Sequence, residues 1–146
     1  MRRIDRIICH CTATPEGRHV TVKDVDNWHR NERHWPNGIG YHWLIYLDGS
    51  IHQGRPESMI GAHCVGYNKH SIGVCYVGGT EKNNIKKEKD TRTPEQKAAF
   101  VKILTELHQR YPKATLHGHC EFANKPCPCF DCHEYDYIFD DKPKQA

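Results

Sequence analysis

Ile4-Asp5-Arg6-Ile7-Ile8-Cys9-His10-Cys11 is the stretch on which the fold turns. Ile4 and Ile8 occupy one alternating face, and Ile7, Cys9 and Cys11 the other, so an extended chain here is apolar on both sides. Only a strand at the centre of a sheet, covered above and below, buries both faces. Thr14-Pro15-Glu16-Gly17 then breaks the chain. Thr21 caps a helix with Asp24 at its third position and Val22, Val25, Trp28 and His29 at three- and four-residue spacing. Pro36-Asn37-Gly38 is the stop signal. The β-prone run 41–47 turns at Asp48-Gly49 into 50–53, a hairpin signature. Residues 71–77 read as another buried strand, ended by Gly78-Gly79.

The C-terminal half follows the same logic. Residues 81–92 are dense in charge with Ile85 as their only apolar side chain, the pattern of a solvated loop. Thr93-Pro94-Glu95-Gln96 starts a helix that runs through Val101, Leu104 and Leu107 to Tyr111, where Pro112 forbids continuation. A short strand reaches His119, followed by a Cys/Pro-rich loop and a helical turn over 135–139. Strands alternating with helices predict a single-domain α/β fold, a central mixed β-sheet flanked by helices, spanning residues 1–139. Residues 140–146 form a polar tail, expected to fray.

Composition narrows the function. A chain of 146 residues that is 37% hydrophobic and 27% charged buries a core without staples. Its net charge of +3 is no nucleic-acid signature, though it suits an anionic polymer such as a bacterial cell wall. The start Met1-Arg2-Arg3-Ile4-Asp5-Arg6 lacks the apolar segment of a signal peptide, and no run is long enough to span a membrane. The expectation is therefore synthesis in the cytoplasm, with the eight cysteines free or metal-bound.

Three residues carry the candidate chemistry. His10 ends the first strand, His119 ends a second run beginning at Ala114, and Cys127 follows eight residues later within Lys125-Pro126-Cys127-Pro128. Three protein ligands would leave the fourth tetrahedral position of Zn²⁺ open, as in catalytic sites. Taken singly, each is more often a packing residue, and spacing alone does not bring them together. They belong, however, to an ordered series: His10-Cys11-Thr12-Ala13-Thr14, Gly40-Tyr41-His42-Trp43, Gly61-Ala62-His63, Gly66-Tyr67-Asn68, Ser71-Ile72-Gly73-Val74, and His119 with Lys125-Pro126-Cys127-Pro128.

That series resembles the zinc-dependent N-acetylmuramoyl-L-alanine amidases of the amidase-2 family, over about residues 4–139. Small phage lysozyme-type amidases are the nearer look-alikes and peptidoglycan-recognition proteins more distant ones. The resemblance implies a mixed sheet with a zinc site in a peptidoglycan-binding groove, one Zn²⁺ per chain held by His10, His119 and Cys127, and catalytic roles for Tyr41 and Lys125. It places His63, Asn68 and His42 along the substrate groove. The neighbour of the second ligand, commonly histidine in the phage proteins, is Cys120 here. The chain would act on the wall after export or lysis, as a monomer, without inserting into a membrane.

Two rival readings keep some of these residues. Cys127, Cys129, Cys132 and His133 lie close enough in sequence for a structural zinc knuckle of the kind that binds nucleic acid, although no basic stripe or second cysteine cluster accompanies them. A wall-binding module without catalysis is the other, weakened by the presence of all three ligands together with Tyr41 and Lys125. A glycosidase needs two carboxylates flanking the bond, and Glu121 and Asp131 form no evident pair.

Overall fold

The computed structural model describes residues 2–140. Its main sheet has five strands in the order β4-β3-β5-β1-β8, formed by Ile51–Gln53 (β4), Trp43–Ile45 (β3), Ser71–Tyr76 (β5), Arg6–Cys11 (β1) and Thr115–Gly118 (β8). All neighbours are parallel except the β3-β4 hairpin, so the sheet is mixed, as the sequence predicts. The doubly apolar β1 lies between two strands, with Ile7, Ile8 and Cys9 at 0% exposure. Ile4 precedes the strand proper and packs with Ile7 and not with Ile8, so alternation is a guide only from Arg6 onward.

Two helices cover the sheet. Helix α1, Val22–Asn31, begins in the predicted capping box, with Thr21 and Asp24 each accepting the other's backbone N–H. Val25 packs with Val20, Ile39, Leu44, Cys75 and Val77 on one face. The helix ends five residues before Pro36, where the chain turns with His34 in the left-handed region (φ 58°). Helix α2, Pro94–Arg110, has the second predicted box between Thr93 and Gln96. It covers the opposite face through Ala99, Phe100, Ile103, Leu104 and Leu107. Val101, expected in that stripe, is instead 37% exposed, because the buried arc is centred on Phe100 and Leu104. A 3₁₀ turn and a short helix α3, Asp136–Phe139, close the fold. Of the tail, all but Asp140 lies outside the described residues.

The charged stretch departs from the expected loop. Asn84–Glu88 (β7) pairs antiparallel with Gly79–Glu81 (β6), which pairs with Thr14–Pro15 (β2) in a second, three-stranded sheet. Every side chain of β7 is exposed, so backbone pairing holds it and no apolar alternation marks it. Beyond β7, Arg92 is buried: its guanidinium lies 3.5 Å from the Phe130 ring centroid and donates to Tyr135 Oη (2.7 Å), Asp90 and Glu134. Arg92→Ala removes this anchor of the C-terminal loop. The expected loss is about 2–3 kcal/mol, below that of a closed ion pair because both carboxylates reach solvent. Urea denaturation checks it; an unchanged midpoint would refute the anchoring role.

Candidate metal centre and catalytic cleft

The parallel order of β1 and β8 assembles the site. Cys9 is in register with Gly118, so His10 and His119 emerge side by side at the carboxyl ends of adjacent strands, where open α/β sheets place their ligands. Their ring centroids are 4.6 Å apart. Cys127 returns from the Cys/Pro loop, which is tied to His119's neighbour by the Cys120 N–H donating to the Cys127 carbonyl (2.8 Å). Ligand atoms of His10, His119 and Cys127 all lie within 4.8 Å of one another. The Cys127 Sγ stands 3.8 Å from His10 Nδ1 and accepts the Cys11 backbone N–H at 3.2 Å. That bond fixes the position of the sulfur beside the two imidazoles.

Behind His10 stands a second histidine. His10 Nε2 and His63 Nδ1 are 2.8 Å apart, and His63 Nε2 lies 3.2 Å from Ser71 Oγ. With His10 donating from Nε2, its Nδ1 lone pair is left facing Cys127. His63 fits because two glycines make room: a Cβ at Gly73 or Gly61 would come within 2.7 or 2.6 Å of its ring. Burial, reinforced by the charges of His63, His119 and Lys125, holds His10 well below the usual histidine range. Burial and Lys125 lower His119 as well. Both imidazoles are therefore neutral at physiological pH, as ligation requires.

A cleft of about 320 Å³ opens over these groups, and its walls include Tyr41, His63, Asn68, His119 and Lys125. Tyr41 packs against His10 with ring centroids 5.1 Å apart. Burial, with the nearby thiols of Cys75, Cys127 and Cys11, pushes its phenol well above the usual range, so it keeps its proton. Asn68 accepts the backbone N–H groups of His63 and Cys64 through Oδ1 (both 2.9 Å), shaping the loop as well as lining the cleft. His42 is not brought to the cleft. It has no exposed surface, and its ring bonds the Gly73 N–H and the Met59 carbonyl.

The far wall, His29, Arg33 and Trp35, has no counterpart among the candidate site residues read from the sequence, where His29 figured only in the spacing of the first helix. An aromatic and a cation just before Pro36-Asn37-Gly38 were the available signal. The cysteine loop is divided differently from a knuckle: Cys127 joins the histidines, Cys129 Sγ faces Cys11 Sγ at 3.8 Å, and Cys132 and His133 turn toward Glu121.

A sequence model of the family described as N-acetylmuramoyl-L-alanine amidase matches residues 1–130. The chain belongs to this family. It is 40% identical over 127 residues to the endolysin of Escherichia phage T7, covering 87% of this chain and 82% of that one. The N-acetylmuramoyl-L-alanine amidase LysC from Clostridium intestinale superposes with a TM-score of 0.76 at 28% identity, covering 94% of this chain and 83% of that chain. Drosophila PGRP-LB shares the fold, with a TM-score of 0.77 at 24% identity over 99% and 88% of the two chains. The family assignment makes this amidase a peptidoglycan hydrolase and accounts for the order of motifs along the chain. Among the described residues no helix is long and apolar enough to cross a membrane.

Proposed function

We propose that the chain is a zinc-dependent endolysin-like amidase that cuts the bond between the lactyl group of N-acetylmuramic acid and L-alanine. The observation that carries this reading is the convergence of His10, His119 and Cys127 within 4.8 Å, beside Tyr41 and Lys125 in one cleft. Two neutral imidazoles and a thiol suit one Zn²⁺ with an open position. Bound there, zinc supplies Lewis acidity for the amide carbonyl and for water.

The chain's own residues supply the rest. Tyr41, holding its proton, donates a hydrogen bond to the carbonyl oxygen as that oxygen gains negative charge, and Lys125 sets a cation against it. His63 fixes the orientation of His10 by accepting its distal N–H. His63→Ala is expected to weaken zinc binding about 10–100-fold, the usual effect of removing such a partner. Competition with a chromophoric chelator reads it directly, and unchanged affinity would refute it. Asn68 and the wall of Arg33 and Trp35 line the path for the glycan and its stem peptide. The enzyme works as a monomer that reaches the wall after export or lysis.

Digestion of purified peptidoglycan, with and without chelator, tests the assignment by mass analysis of the products. Expected are free stem peptides beginning with L-alanine and intact glycan strands, both abolished by chelation. New reducing sugar ends, or shortened peptides still joined to muramic acid, would overturn it.

A further inference from the structure

A second group of metal-ligating side chains lies outside the cleft. Donor atoms of Glu121, Cys132 and His133 all fall within 4.8 Å of one another. Glu121 Oε2 is 3.1 Å from His133 Nε2 and 3.8 Å from Cys132 Sγ. We propose that these three residues form a second zinc site, which clamps the segments that carry the catalytic ligands.

Each ligand is held from behind. His133 Nδ1 lies 2.9 Å from Asp136 Oδ1, so a proton kept on Nδ1 leaves Nε2 as the donor nitrogen, the carboxylate–histidine arrangement common behind zinc. The His133 backbone N–H is fixed by Asp131 Oδ1 at 3.0 Å. Glu121 is aimed by the Gly118 N–H at 2.7 Å and by His117 Nδ1 at 3.0 Å. Cys132 is only 3% exposed, whereas Glu121 and His133 reach solvent. A surface ion pair accounts for the contact between Glu121 and His133. It does not account for a buried thiol turned to the same carboxylate oxygen, or for the carboxylate behind the far ring nitrogen.

Thiolate, imidazole and carboxylate together match zinc better than the hard, oxygen-binding cations. On binding, the Cys132 thiol proton and any proton on His133 Nε2 pass to solvent, and Zn–S, Zn–N and Zn–O bonds replace them. The location gives the site its purpose. One 3₁₀ turn, His119–Glu121, carries a catalytic ligand at its start and a clamp ligand at its end. Cys132 closes the loop that contains Cys127. Occupancy therefore ties both segments together and stabilises the folded chain by linkage.

The test uses the full chain, stripped with chelator, held reduced by a phosphine and titrated with Zn²⁺. Wild type is expected to bind two equivalents, and Cys132→Ser/His133→Gln one. In a Cys127→Ser background, Co²⁺ should still produce a thiolate-to-cobalt charge-transfer band, lost when Cys132→Ser is added. Should Cys132→Ser fail to fold, His133→Gln alone, at an exposed position, should weaken this site at least ~10-fold. Loss of the equivalent that depends on His10 and Cys127 would count against the catalytic reading only. A single equivalent in wild type with no band in the Cys127→Ser background, or a second equivalent that survives the double substitution, would overturn the clamp.

Discussion

Cys127→Ser is expected to strip zinc from the cleft and reduce amide hydrolysis to near background. The Cys127 Sγ stands 3.8 Å from His10 Nδ1 and is supported by the Cys11 N–H at 3.2 Å. A serine hydroxyl in its place is neutral and a far poorer ligand, and its oxygen sits closer to its own backbone than the sulfur does. Removing a mere supporting partner costs about 10–100-fold in metal affinity, so removing a ligand should cost more than ~10²-fold. Elemental analysis after gel filtration should show one zinc fewer per chain than wild type, and a hydrolysis assay on the same sample reads the rate. Retention of zinc by this site together with a wild-type rate would remove Cys127 from the ligand set.

Lys125→Ala and Tyr41→Phe should leave the fold and zinc content unchanged and lower kcat by ~10²–10³ each, the usual effect of losing one donor to a developing oxyanion. The two side chains share the cleft with His119. Burial and the neighbouring thiols keep the Tyr41 phenol protonated across the neutral range, so its contribution is as a donor and its loss should not shift the pH profile near neutrality. Because the interaction strengthens in the transition state, kcat should fall with little change in KM. Near-normal kcat in both variants at matched zinc content would exclude this role.

Much of the fold was legible because its signals are local. The doubly apolar run read over 4–11, the Asp48-Gly49 hairpin and the capping boxes at Thr21 and Thr93 each depend on a few adjacent residues, and all appear in the structure, the first as a strand over Arg6–Cys11. The strand at Asn84–Glu88 did not announce itself, since its side chains face solvent and only its backbone is engaged. Arg92 looked like one more charge in that run, yet its burial against Phe130 depends on a loop distant in sequence.

The same division runs through the site. The residue types at 10, 41, 119, 125 and 127, in family order, are the candidate set that the sequence supplies. The meeting of His10 and His119 is decided by the parallel register of β1 and β8, and that of Cys127 by the return of its loop onto Cys120, neither of which spacing encodes. Tertiary structure also separates histidines that look alike in sequence: His63 lies against His10 because Gly61 and Gly73 leave room for its ring, while His42 is sealed away from the cleft. It divides the cysteine loop too, sending Cys127 to one cluster and Cys132 to another. Residue identity fixes what a side chain can donate, but the direction in which it donates is set by packing between elements far apart in the chain.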